Sequence, residues 1–512
     1  MMSYKQGIDR TQSTLFPVLV DDYVSADNPV RFIDAYVESL DMVKLGFTHA
    51  IAASTGCPPY APSDVLKLYV YGYLNRTRSS RLLEQLTHRN IEVMWLLRKL
   101  QPDFKTIADF RKDNTEALKK VCREFTLLCK KLNLFGGELV AIDGSKFSAV
   151  NHDSRTFTTK KLQRLIKEID EKIETYFNRL DGADTVEDAA TIGETRSLHE
   201  HIAHLQTHKA ELETLQKNLS ESGEVQISLT DPDSRLMTTG KHGNDVCYNG
   251  QIAVDAKHKL IVAHDLTNEA NDLHQLAPIA QAAKEVLEVE HLDVTADKGY
   301  YNETQIAQCE QENISCYIPE PEKSQNKALG LFTDKDFRYD ITNDCYICPA
   351  DTPMTFRSEF LKGNKQVRVY ESSFCKQCTL RTQCTRSRTN NRRIYRWVYE
   401  QVIEAMQQRM AQYPQKARQR KELVEHPFAI LKRWMNHEYF LMRGKQKVAA
   451  EFSMSVLAFN MKRVLNILGV PTLVAALQAI RVDVLSSFGD FIPQRNFFLN
   501  QNVLKIYFCF ER

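Results

Sequence analysis

The sequence predicts a mixed α/β chain built in several parts. Apolar residues recur at helical spacing through the first 135 residues, and short apolar runs closed by turn-forming residues follow from Glu138 to Ile318. Helical spacing interrupts that strand-rich stretch between residues 160 and 220 and returns from Arg396. With 512 residues, 43% hydrophobic and 26% charged, the chain can bury sizeable cores without disulfide or metal staples.

Taken in order, residues 1–135 read as a helical N-terminal domain. Phe32, Ile33, Tyr36, Val37 and Leu40 share one helix face. A second helix begins near Pro62, with Ser63 a candidate cap, others begin near Ser79 and Asn90, and the segment Asp103 to Ile107 is read as capping a further helix at Ala108. Short helices with tight turns suit a helix-turn-helix DNA reader or a docking module equally well. Residues 136–159 open a core with the buried strand Leu139-Val-Ala-Ile142, which Asp143-Gly144 is expected to end. In 160–224, Leu162, Leu165, Ile166, Ile169 and Ile173, then Leu198, Ile202, Leu205, Leu212 and Leu215, predict a projecting helical hairpin. Residues 225–320 give two strands around the turn Asp255-Ala-Lys-His258, then helix, strand, helix and strand. Residues 321–391 read as a loop-rich, Cys-containing insertion, 392–470 as helical, and 471–512 as a tail with no motif.

Net charge is only +2, so nucleic-acid binding must be argued from distribution. Arg381 to Arg396 holds six arginines and no acid, and Lys416, Arg418, Arg420 and Lys421 follow. Charge runs are commonly just solvated faces, but this one precedes Glu425. The first residues carry no secretory pattern and no run approaches a membrane span, so a cytoplasmic, nucleoid-associated protein is expected.

Three segments carry carboxylates where the pattern changes: Glu138 to Lys146, His291 to Tyr300 and Glu422 to Lys432. Two read as strand ends around Asp143 and Asp297, and the third as a helix start, with Pro427 in the first turn after Glu425. Each acid alone has an ordinary structural role: ending a strand, or offsetting a helix dipole. Asp255, Asp265 and Asp293 compete with the two aspartates, and Glu422 with Glu425. Together, three convergent carboxylates suit hard divalent cations, and a pair of such ions suits in-line phosphoryl displacement.

Asp143-Gly-Ser-Lys146, Asp297-Lys-Gly-Tyr-Tyr-Asn302 and Val424-Glu425-His-Pro-Phe-x3-Lys432 resemble the Asp-Asp-Glu motifs of bacterial insertion-sequence transposases, over roughly residues 20–470. That resemblance implies a ribonuclease-H-like core and catalysis by Asp143, Asp297 and Glu425 with two Mg²⁺ or Mn²⁺ ions. It also implies cutting and joining of double-stranded DNA at element ends, the terminal repeats and target DNA being its partners. A homodimer is expected in the DNA complex. Arg392, Arg393, Arg418, Lys421 and Lys432 are the expected phosphate contacts. The family's Arg before the Glu is Lys421 here, which loses bidentate geometry, and its Tyr position is Arg418. No P-loop pattern occurs, so ATP is not expected. A structure-specific nuclease without strand transfer, or an inactive DNA-binding relic, are the alternatives.

Of twelve cysteines, Cys345-x2-Cys348 and Cys375-x2-Cys378 form paired knuckles that suit one structural zinc, with Cys384 close behind. The competing reading is four reduced thiols in a small β insertion.

Overall fold

Polar caps and apolar faces set the first helices. The computed structural model describes residues 19–487, apart from 53–57, 152–154, 184–188, 224–225, 240–242, 322–328, 364 and 388. Before the first strand lie α1 (Pro29–Glu38), α2 (Met42–Leu45), α3 (Pro62–Leu74), α4 (Ser80–Arg89), α5 (Ile91–Leu96), α6 (Phe104–Asp113) and α7 (Thr115–Lys131). Asn28, Asp41, Asn90 and Asp103 accept backbone N–H groups at the starts of α1, α2, α5 and α6. Helix α3 starts on Pro62 without a side-chain cap, so Ser63 does not serve as one. Nearly every residue of α3 is buried. Its Lys67 remains charged because Asp34 (2.7 Å) and Glu38 (2.5 Å) on α1 meet the ammonium.

Strand β1 (Leu139–Ser148) follows, and β2 (Thr156–Thr158) leads into the hairpin of α8 (Thr159–Ala183) and α9 (Ala189–Ser222). Leu162, Ile169, Leu212 and Leu219 form the seam of that hairpin with Phe157. After β3 (Gln226–Ser228) and β4 (Arg235–Thr239) come β5 (Gly243–Asp255), β6 (Ile261–Thr267), α10 (Leu276–Leu287), β7 (Leu292–Thr295), α11 (Glu303–Gln311) and β8 (Ile314–Tyr317). Their sheet runs β4-β5-β1-β7-β8, and β6 also pairs with β5. Strand β5 is antiparallel to β1, β4 and β6, whereas β1, β7 and β8 are mutually parallel.

Beyond them, β9 (Arg338–Asp340), β10 (Cys345–Ile347), β11 (Pro353–Lys362), β12 (Lys365–Glu371), α12 (Arg381–Cys384) and β13 (Arg393–Trp397) follow. The strands form one antiparallel sheet in the order β13-β12-β11-β10-β9. The loop-rich reading of 321–391 is therefore corrected, and the module extends to Trp397, past the expected boundary at 391. Strand β11 exposes nearly all its side chains, so it lacks the alternation that marks a half-buried strand.

The chain then forms α13 (Glu400–Gln412), α14 (Pro414–Ala429), a π-helical turn at Ile430–Trp434, α15 (Lys445–Leu468) and α16 (Val470–Ser487). Residues after Ser487, part of the expected 471–512 tail, lie outside the described residues. Among the described residues no single helix is long and apolar enough to cross a membrane.

One core joins α1–α7, one face of β1, β5 and β6, and α14 to α16. Residues up to 135 thus share their interior with the C-terminal helices and do not enclose one of their own. A second core fills the other sheet face under α10, α11 and α13. The two ends of the chain are stitched by Arg78, which is buried and donates to Glu451 (3.1 Å), Tyr439 O (2.7 Å) and Asn436 O (2.8 Å). Glu451, fully buried, also accepts from the backbone N–H groups of Leu441 and Met442. Removing one partner of a buried pair leaves the other charge uncompensated, a loss of about 3–5 kcal/mol. Glu451→Ala should therefore lower stability by that order in denaturant unfolding. A loss under about 1 kcal/mol would mean that Arg78 finds water or another acceptor.

Candidate functional site

The parallel pairing of β1 and β7 brings two aspartates level. In register, Leu139 faces Asp293, Val140 faces Val294 and Ala141 faces Thr295. The pairing ends with Ala141 and Thr295, and Asp143 and Asp297 each follow two residues later. Asp297 lies close enough for its charge to raise the Asp143 carboxyl. Asp143 does not end its strand, contrary to the sequence reading. Only the pairing with β7 stops, while β1 continues against β5 to Ser148. Asp297 does end β7, and its carboxylate caps the next turn by accepting from Gly299 N (2.8 Å).

Glu425 is not at a helix start. It lies well inside α14, which begins at Pro414, with Pro427 in its interior. Proline removes one link of the i→i−4 ladder, and the hydrogen-bond pattern loosens into the π turn three residues later. Leu423, Val424, Pro427 and Phe428 form the buried stripe of α14. Glu425 follows Val424 by about 100° around the helix. Its carboxylate points outward and pairs with Lys421 at 3.7 Å, with side chains 64% and 74% exposed. The helix phase instead aims Arg420 inward, 3.2 Å from Asp143 Oδ2. Among the described residues, no three carboxylate, imidazole or thiol groups are already drawn together tightly enough to hold an ion. The structure thus brings Asp143 and Asp297 together, and leaves Glu425 on the adjoining helix with its carboxylate turned away.

Motif matching missed the residues that brace the pair. Tyr300, in the turn capped by Asp297, donates its hydroxyl to Gln251 Oε1. Gln251, level with Gly144 on β5, donates to Asp272 Oδ1 at 2.7 Å, and Asn249 does the same at 2.7 Å. Lys146 lies 3.8 Å from the same oxygen. A Cβ on Gly144 would come within 2.4 Å of Gln251 Nε2 and 2.7 Å of Asp272 Oδ1, so only glycine leaves room for these groups. No spacing rule links residues 144, 251, 272 and 300, and only the fold brings them together.

The competing acids have structural partners. Asp255 accepts from the backbone of Gly136, Gly137 and Lys257. Asp293 pairs with Lys416, and Glu422 with Lys259 at 2.9 Å. Asp265 is exposed on β6. Among the expected phosphate contacts, Arg392 pairs with Asp334 (2.6 Å) and Arg393 with Glu371 (2.8 Å), both within the Cys-containing module. Arg418 is exposed on α14 beside Lys421. Lys432 donates to Lys146 O on β1 and lies 4.6 Å from the Phe147 ring centre.

Burial pushes the Asp143 carboxyl up to about 6; Arg420 opposes this, and Asp297 and Asp272 add to it. A raised carboxyl stabilises the fold below its unfolded value near 3.8, and that contribution is lost as pH rises through about 6. The shift of about two units corresponds to roughly 3 kcal/mol at most. Without divalent cations, Asp143→Asn should therefore be more stable than the parent at pH 7.5, with the gap closing below pH 4. Thermal unfolding across that range checks it, and a gap that widens on acidification would contradict it.

Two family models match the chain. The transposase DDE domain model matches residues 347–465, which contain Glu425 and Lys432. The model described as Transposase domain (DUF772) matches residues 18–113, from the N-terminal helices through α6. A search of curated proteins finds no match. Among solved structures, a piggyBac transposase synaptic complex with hairpin DNA overlaps 93% of this chain and 87% of its own, at 8% identity and TM-score 0.32. At that score the likeness carries no argument. The transposase matches toward both ends of the sequence indicate a DNA transposase of the insertion-sequence DDE type.

Proposed function

We propose that Asp143, Asp297 and Glu425 are the carboxylates with which this transposase holds two divalent cations, Mg²⁺ or Mn²⁺, and cuts and joins DNA at element ends. The observation that carries the reading is the parallel pairing of β1 with β7, which ends two residues before both Asp143 and Asp297 and leaves the two carboxylates within each other's field. A ribonuclease-H-like core is supported by the succession β1, β5, β6, α10, β7, α11, β8 around a central β1. The donor set is chemically apt, since all three groups offer hard oxygen ligands. A bound divalent cation would supply charge neutralisation at the scissile phosphate and a more acidic water.

The chain's own residues account for the rest. Arg420 neutralises Asp143 while no metal is bound, and gives way as cations compete for the carboxylate. Glu425 must likewise release Lys421. Arg420 and Lys421 then become donors for phosphate oxygens beside Arg418 and Lys432, with the guanidinium groups able to grip two oxygens at once. Arg392 and Arg393 have acidic partners of their own, so we assign the phosphate strip to α14 and the π turn after it. Reading of terminal repeats is assigned to the helices before β1. An element has two ends and each chain has one carboxylate set, so a homodimer is the inferred acting unit.

A nuclease that cuts without joining uses the same carboxylates and is distinguished by its products. With DNA bearing the element's own ends and Mn²⁺, the parent should give both cut and joined strands. Asp143→Asn, Asp297→Asn and Glu425→Gln should each lower cleavage at least about 100-fold while binding the same DNA within about threefold, the pattern of lost transition-state interactions. Undiminished cleavage by any one variant removes that residue from the set. Cutting without joining would favour the nuclease.

A further inference from the structure

The Cys-containing module holds a feature independent of the catalytic reading. Cys348, Cys375, Cys378 and Cys384 line one small cavity of about 30 Å³, together with Arg381 and Arg392. Such a volume admits a single small ion or water. Cys345 is not among its walls. Residues 345–347 form β10, where side chains alternate between faces. Tyr346 joins the module's small core, against which Cys348 and Cys384 pack, so Cys345 faces the opposite side. A Cys-x2-Cys spacing brings two sulfurs together only across a turn, and here a strand occupies it.

The other cysteines do sit on turns. The chain reverses at Cys348, where Cys348 N donates to Thr352 O and Asp351 N donates to Cys348 O (2.8 Å). Cys375 lies in a short 3₁₀ turn, Ser373–Lys376, and Cys378 O accepts from Arg381 N. Cys384 ends α12.

Two arginines stand among mostly apolar walls that include Phe332, Phe337 and Met354. Arg381 is fixed by Cys375 O (2.8 Å) and Ser387 O (3.1 Å). Arg392 lines the same cavity, and its Nε–H is buried with no hydrogen-bond acceptor. A buried donor without an acceptor is costly, and a thiolate sulfur would supply one.

We propose that Cys348, Cys375, Cys378 and Cys384 bind one zinc ion as four thiolates, with Arg381 and Arg392 offsetting the charge. Four S–H protons leave to solvent and four Zn–S bonds of about 2.3 Å form, giving a site of net charge −2. Binding draws in sulfurs that otherwise line the cavity as neutral thiols. The site clips the turn after β10 to the segment between β12 and β13.

The test uses the full chain, purified without chelator. Elemental analysis should find about one zinc, and a mercurial should release it on titrating about four thiols. Cobalt exchanged into the site should give thiolate-to-cobalt charge-transfer absorption. Cys345→Ser should keep the metal, and Cys384→Ser should lose at least about tenfold in affinity. If Cys384→Ser does not fold, the cobalt spectrum of Cys345→Ser against the parent decides, and an unchanged spectrum is required. Absence of zinc together with absence of cobalt bands overturns the proposal. So does metal lost in Cys345→Ser and kept in Cys384→Ser.

Discussion

Strand β1 has a hydrophobic core on each side, and this constrains everything near the site. Leu139, Ala141 and Phe147 face the core shared by the first and last helices, while Val140 and Ile142 face the core beneath α10 and α11. A one-residue slip of β1 would turn the Asp143 carboxylate into the core beneath α10 and α11, and would put a side chain where Gly144 leaves room for Gln251 and Asp272. The register that places Asp143 near Asp297 is therefore fixed. Gly144 serves the same end, because the amides of Gln251 and Asn249 and the Asp272 carboxylate occupy the space a side chain would need.

Helix α14 makes the other half of the arrangement. Its buried stripe presses on the β1 face that carries Asp143, and that phase aims Arg420 at the carboxylate and Glu425 at solvent. A half-buried aspartate beside a second aspartate is costly to ionise, and a guanidinium is the cation available within the chain. The same electrostatics make the position a receptive place for divalent ions, since an ion replaces one positive charge with two.

Much of the architecture was legible from local signals. The run Leu139 to Ile142 marked β1, Asn90 marked the start of α5, and the 3–4 spacing of Leu162, Ile169 and Leu212 marked the seam of the long hairpin. The failures have physical causes. Gly144 looked like a strand end because isolated glycine usually breaks a strand, whereas here neighbouring side chains fill its place. Pro427 looked like a helix start because that is where proline fits best, and Pro414 holds that position instead. Family spacing puts Lys421 at the motif's Arg position, and helix phase sets the neighbouring Arg420 against Asp143. Knuckle spacing pairs Cys345 with Cys348, and Cys345 is outside the cavity that the other four thiols line. The shared core of the two ends of the chain could not be read locally, because Arg78 and Glu451 are far apart in sequence.

The central claim is that Asp143, Asp297 and Glu425 converge on common metal ions. Iron-directed backbone cleavage tests it most directly. Fe²⁺ loaded in place of Mg²⁺, with ascorbate and peroxide, cuts the chain only next to the bound metal. The account predicts cuts near residues 143, 297 and 425 together, all suppressed by excess Mg²⁺ and all absent in Asp143→Asn. Cuts near 143 and 297 without any near 425 would contradict it and pass the third ligand to another acid, with Asp272 the nearest candidate.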